Sequence, residues 1–279
     1  MTIDMSLVGK ELAELAHSYT WRDVVIYALG AGAKADELAF LYEAEGPKVL
    51  PTFATVPAFR VLAATAGRLG VDLLRVVHGE QTIRLHRPIP PAGTLVTSGR
   101  VAAIHDKGTG ALVVVEGKTC DRERGDHLFD TVFSIFVRGA GGFGGERGPK
   151  ARAAPTLDGP PAFEHVQQTS PEQHLLFRLN GDVNPIHASP KLARAAGFQR
   201  PILHGLCTYG HAGRAIVQHA CGGDAAKLRS FSARFTGIVY PGDTLTTRGW
   251  QVAPGEYWIR VSTQNGETVI DNSVAQIDA

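Results

Sequence analysis

The chain has 279 residues, 44% of them hydrophobic and 20% charged, the make-up of a globular protein long enough to bury one large core or two ordinary ones. A formal net charge of +1 removes the general electrostatic reason to expect nucleic acid or an anionic membrane surface as partner, although an anionic ligand needs only a local basic cluster. Three cysteines without metal-ligand spacing, no signal-like start and no run of eighteen apolar residues lead to the expectation of a reduced, cytoplasmic setting with no membrane partner.

In chain order, Thr20 is suited to cap a first helix carrying Tyr27 and Leu29, and a mostly apolar helix is expected over 56–69. Strand-like runs follow over 81–87, 95–104, 111–120 and 131–137, parted by turn signals at Pro90-Pro91-Ala92-Gly93 and Asp106-Lys107-Gly108. Residues 139–149 are rich in glycine. Gly139, Gly141 and Gly144 satisfy G-x-G-x-x-G after a strand, but Arg147-Gly148-Pro149-Lys150 cannot open the helix that a dinucleotide site requires, so the segment reads as a connector.

Beyond it, Ser170-Pro171 suits the start of a short helix whose apolar face is Leu175, Leu176 and Leu179. Asn180-Gly181 ends that helix, because both residues tolerate positive φ. Asp182, Asn184 and His187 follow at once on a segment stiffened by Pro185, before a second helix that starts at Ser189-Pro190 and stops at Gly197. A carboxylate and an imidazole five residues apart on a stiff loop are well placed to hold one water molecule. A second apolar helix over 203–219 and strands over 230–239, 245–252, 257–263 and 269–277 complete the chain.

Shifting the chain by 150 residues brings caps, breakers and strand ends into one register. Tyr27 falls on Phe177, Pro51 on Pro201 and Arg84 on Arg234; Pro91, Thr94, Leu95, Thr97 and Gly99 fall on Pro241, Thr244, Leu245, Thr247 and Gly249. We read two copies of one α+β unit, residues 1–150 and 151–279, each with an antiparallel sheet wrapped around its apolar helix. Gly32 and Glu37 stand opposite Asp182 and His187, so the first copy lacks the acid–base pair. Freed of that task, it has space to become a pocket for an acyl tail along 56–69.

Gly181-Asp182-Val183-Asn184-Pro185-Ile186-His187 resembles the signature of the type 2, (R)-specific enoyl-CoA hydratases, the MaoC-like family with the hot-dog fold. The likeness extends to Tyr27–Gly32, Leu50-Pro51-Thr52-Phe53, His78-Gly79-Glu80-Gln81, Asp106-Lys107-Gly108, Gly141–Gly145 and Pro201–Thr208; Asn180 departs from it, standing where the family carries a small residue. The resemblance implies a double hot dog that adds water to trans-2-enoyl-CoA to give (3R)-3-hydroxyacyl-CoA. It implies that Asp182 and His187 activate the water, that Asn184 orients it, and that the Gly205 N–H holds the thioester oxygen. It places His78, Gly79, Lys107 and Phe235 against the acyl-CoA, ties Glu43 to activity, and implies a homodimer needing no metal or redox cofactor, CoA being part of the substrate. A carrier-protein dehydratase, a thioesterase and a non-catalytic acyl-CoA-binding module are the alternatives. No H-E-x-x-H, C-x-x-C or G-x-S-x-G occurs to suggest metal or serine chemistry.

Overall fold

The computed structural model describes residues 3–71, 75–150, 152–157 and 159–278. Strand β1 (Glu11–Tyr19) leads into helix α1 (Trp21–Gly30), whose start is fixed by a capping box: the Asp23 carboxylate accepts from the Thr20 N–H and hydroxyl at 2.8 and 2.9 Å. A short helix α2 (Leu38–Leu41) precedes α3 (Thr55–Leu69), which stops at Gly70 in the left-handed region, φ 63°. Strands β2 (Val76–Leu85), β3 (Gly93–Asp106), β4 (Gly110–Asp121) and β5 (His127–Arg138) finish the first copy.

The second copy repeats this order: β6 (Phe163–Gln168), α4 (Gln173–Phe177), α5 (Pro190–Ala195), α6 (Gly205–His219), then β7 (Leu228–Phe235), β8 (Thr244–Ala253), β9 (Glu256–Thr263) and β10 (Thr268–Ile277). Helices α3 and α6 begin and end 150 residues apart. All ten strands form one antiparallel sheet in the order β1-β3-β4-β5-β2-β7-β10-β9-β8-β6. Each half is five strands carrying one fifteen-residue helix, the double hot-dog arrangement. The halves join where Thr82 of β2 pairs with Ser232 of β7, equivalent positions of the repeat, and the Glu80–Arg234 ion pair (2.8 Å) flanks that seam.

The two central helices are covered unequally. On α6 every residue from Leu206 to Val217 is buried. Helix α3 buries Ala58, Val61, Leu62, Thr65 and Ala66 against Val101, Val113, Val115, Phe133 and Ile135, while Arg60, Ala63, Ala64, Gly67 and Arg68 form an exposed stripe on its other side. The space between α3 and its sheet is therefore filled.

The glycine-rich connector folds back onto the β3–β4 turn. The Asp106 carboxylate accepts N–H bonds from Gly142 and Gly108 (2.8 Å each) and Gly144 (2.7 Å), which hold its pKa down to about 2. A Cβ on Gly141 would lie 2.5 Å from the Gly110 carbonyl oxygen, so this approach requires glycine. Two stretches far apart in sequence thus form one turn assembly, and the Lys107 ammonium donates to the Arg147 carbonyl across it.

Candidate active site

The loop after α4 is closed by its own polar side chains. Asn180 Nδ2 donates to the Phe177 carbonyl at 2.9 Å, and Gly181 turns the chain at φ 111°. Asn180 therefore serves as a helix-end clamp where the resemblance anticipates a small residue. The Asp182 carboxylate accepts the Asn184 N–H (3.2 Å), and the Asn184 carboxamide oxygen accepts the Ile186 N–H (3.3 Å), capping the 3-10 turn Pro185–His187.

His187 is 6% exposed, and its Nδ1 lies 2.9 Å from the Ile202 carbonyl oxygen. A carbonyl only accepts, so Nδ1 carries the proton and Nε2 keeps its lone pair. His204, fully buried, stacks its ring on His187 at 3.7 Å between centroids, and its Nε2 donates to the Asp182 carbonyl at 3.1 Å. One donor atom each from Asp182, His187 and His204 fall within 4.8 Å of one another, close enough for a single bound water or a cation. Burial pushes the Asp182 carboxyl up and the His187 imidazole down from their ordinary values, while each favours the charged form of the other. Burial outweighs the nearby carboxylate and keeps the imidazole neutral, with Nε2 as its unprotonated nitrogen.

Immediately after His204 begins α6. Its first intrahelical donors are the N–H groups of Cys207 and Thr208, which bond the His204 carbonyl, so the Gly205 and Leu206 N–H groups precede the ladder. A Cβ on Gly205 would meet the Phe235 ring at 3.3 Å. Phe235 in turn packs edge-on against His78, centroids 5.0 Å apart, across the β2–β7 seam. His78 is half-buried, its Nε2 donates to the Glu80 carbonyl (3.0 Å), and burial lowers its pKa to about 4. Gly79 occupies a bulge between His78 and Glu80, with Ser134 O only 3.2 Å from where its Cβ would be.

Asp182, Asn184, His187, Gly205, Phe235, His78 and Gly79 thus form one contiguous patch built from both copies. Lys107 sits at the same end of the sheet as His78, two strands further out. Glu43 is exposed in the turn after α2 and, among the described residues, makes no hydrogen bond or ion pair with the patch. His204 lies within the sequence motif, yet sequence reasoning assigns it no role; its signal, a histidine next to the predicted oxyanion glycine, is present.

The corresponding place in the first copy has been refilled. Glu37, opposite His187 in the repeat, forms an ion pair with Arg214 of α6 at 2.6 Å and accepts from Gln218 Nε2 at 2.7 Å. Gly32, opposite Asp182, has φ 83°, and a Cβ there would lie 2.2 Å from the His211 ring. Gly32→Ala is expected to destabilise the protein by about 1–3 kcal/mol, read from the urea midpoint. An unchanged midpoint would mean that His211 can swing aside.

A second histidine–carboxylate group, His86, His127 and Asp130, lies at the far end of β2. There each imidazole Nε2 already bonds a different Asp130 oxygen at 2.8 Å.

Family models match nearly the whole chain: the MFE-2 hydratase 2 N-terminal domain over residues 17–139 and the MaoC like domain over 152–273. The 3-hydroxyacyl-thioester dehydratase Y of Mycobacterium tuberculosis is 42% identical over 275 residues, covering 96% of this chain and 94% of that protein. The peroxisomal enoyl-CoA hydratase 2 of Arabidopsis thaliana is 38% identical over 266 residues, covering 88% and 85%. Among solved structures, a MaoC-like dehydratase from Phytophthora capsici superposes with a TM-score of 0.87 at 30% identity, covering 100% of this chain and 98% of that one.

Proposed function

The chain belongs to the MaoC-like dehydratase family, with a hydratase 2 N-terminal domain ahead of its MaoC-like domain, and from that premise we propose that it adds water to trans-2-enoyl-CoA to give (3R)-3-hydroxyacyl-CoA. The enzyme is a hydro-lyase. One observation carries the mechanism: one ligand atom each of Asp182 and His187 lie within 4.8 Å of one another, close enough for one water to bond both side chains, and the Nδ1 bond to the Ile202 carbonyl leaves His187 with an unprotonated Nε2. His187 takes a proton from that water as its oxygen bonds to C3, and the Asp182 carboxylate holds the other O–H. The electron pair of the C2–C3 double bond moves toward the thioester carbonyl, whose oxygen gains charge against the Gly205 N–H. Such a fixed donor contributes roughly 2.7–4 kcal/mol of barrier lowering. The imidazolium then returns its proton to C2. Since hydration is redox-neutral and the base lies in the chain, no metal or redox cofactor enters this mechanism, and CoA arrives with the substrate.

The Asn184 oxygen is engaged within the loop, so its Nδ2 amide is the group that would orient the water. His78, Gly79 and Phe235 border the thioester, and Lys107 meets a CoA phosphate. Hydration of crotonyl-CoA, followed by loss of the enoyl absorbance and chiral analysis of the product, tests the function; an (S) product or free thiol release would overturn it.

The acyl tail is assigned to the uncovered stripe of α3, since its other face is packed. The equivalent stripe of α6, from Gly210 to Val217, is buried under the first copy's loop, so only α3 offers it. Ala64→Trp is expected to lower kcat/KM on long enoyl-CoAs about tenfold or more while sparing crotonyl-CoA. An unchanged chain-length profile would remove this assignment. We also propose a homodimer of chains, testable by light scattering. Free thiols at Cys120, Cys207 and Cys221 support a reducing compartment, the cytoplasm, and no helix among the described residues is long and apolar enough to cross a membrane.

A further inference from the structure

Two hydrogen bonds tie the Asp182–His187 loop to the start of α6, and they run in opposite directions. The loop's imidazole, His187, donates from Nδ1 to the carbonyl of Ile202; the helix cap's imidazole, His204, donates from Nε2 to the carbonyl of Asp182. Between these bonds the two rings lie face to face, 3.7 Å apart and inclined by 23°. A weaker backbone link, Ile202 N–H to Ile186 O at 3.4 Å, closes the same seam. His204 is fully buried, Phe177 packs on it with centroids 5.2 Å apart, and its remaining nitrogen, Nδ1, has no hydrogen-bond partner. A buried polar atom without a partner is a standing cost that an apolar residue would avoid. The ring is therefore a poor choice for packing alone and a good one for its N–H.

We propose that His204 is the positioning residue of the hydration site: through its ring face it fixes the His187 imidazole, through its N–H it fixes the Asp182 backbone, and through its own backbone it sets both at a constant separation from the Gly205 N–H. This rests on the assignment of Asp182 and His187 as the water-activating pair. The transition state needs water, C3 and the thioester oxygen in register, and a misplacement of about 1 Å can cost about 10²-fold in rate. His204 touches no reacting atom in this scheme; it determines where those that do are held.

The test compares crotonyl-CoA hydration by His204→Phe, His204→Gln and His204→Asn with that by Asp182→Asn, each variant also being melted. Phe keeps a flat ring on His187 and deletes the donor, so kcat should fall about 100-fold with KM within about twofold. Gln puts an amide nitrogen near the place of Nε2 and should recover to within about tenfold of the parent, whereas Asn reaches only the Nδ1 position and should remain as impaired as Phe. Phe within about threefold of the parent would overturn the proposal. So would Gln no better than Asn, the comparison that decides if Phe does not fold. Near-normal turnover by Asp182→Asn would instead remove the acid–base pair itself, whatever the His204 variants show.

Discussion

Replacing Asp182 by Asn, or His187 by Gln, is expected to lower hydration turnover by about 10³-fold while the melting temperature stays close to that of the parent. Each change keeps the side chain's size. In Asp182→Asn the new amide oxygen can still accept the Asn184 N–H, but the charge that favours an imidazolium opposite it is lost. In His187→Gln the new amide has no basic nitrogen to offer water, and its N–H falls near the place of Nε2, not of the Nδ1 that bonds the Ile202 carbonyl. A loss of about 10³ corresponds to about 4 kcal/mol of transition-state stabilisation, within reach of one positioned acid–base pair. The same pair fixes the pH profile. Burial holds the His187 imidazole below its ordinary value of 6.5, so kcat/KM should fall on the acid side, as the base takes up a proton, with a midpoint below that value. Near-normal activity in either variant, measured on crotonyl-CoA, would dispose of the mechanism.

The second large effect is on stability. Arg214→Ala is expected to destabilise the fold by about 3–5 kcal/mol, because it leaves the Glu37 carboxylate buried without its cation. The Arg214 and Glu37 side chains are only 2% and 10% exposed, and Glu37 accepts from Arg214 and Gln218 together. Arg214 also reaches His165 Nε2 at 3.2 Å, which ties β6 to the same cluster. The double variant Glu37→Met with Arg214→Met removes both charges and keeps much of the volume, so it should be far less damaging than the single one. Urea unfolding of the single and double variants measures the difference. Equal losses would mean that packing, not charge, holds the loop against α6.

Much of the architecture is legible because both copies announce themselves by the same caps and breakers, and the limits of α3 and α6 differ from expectation by two residues or fewer. The strands β1 and β6 escape a sequence reading for physical reasons. In β1 a register shift between Leu12 and Leu15 breaks the alternation that marks a strand. β6 is an edge strand whose sequence, Phe-Glu-His-Val-Gln-Gln, buries only Phe163 and Gln167. Similarly, β2 starts five residues before the expected position, its first residues set apart by a bulge at Gly79 that breaks the alternation. In the site, Asp182, Asn184 and His187 are visible from local chemistry. The reciprocal clasp through His204 is not, since it depends on the loop meeting α6, a contact that no local pattern encodes. The glycine-rich stretch reads as a connector, and its docking on Asp106 likewise depends on residues more than thirty positions away.

The seam between β2 and β7 has a further consequence. Its pairs, from Glu80 with Arg234 to Arg84 with Ser230, are centred on Thr82 and Ser232, which are the same position in the two copies. A strand that meets its own equivalent in this way is self-complementary, as the contact in a two-fold symmetric assembly must be. Cutting the gene between the copies would therefore leave each fragment with an open strand and a partner able to close it. The His78–Phe235 contact belongs to neither fragment alone, so activity in a split protein should appear only when both pieces are mixed.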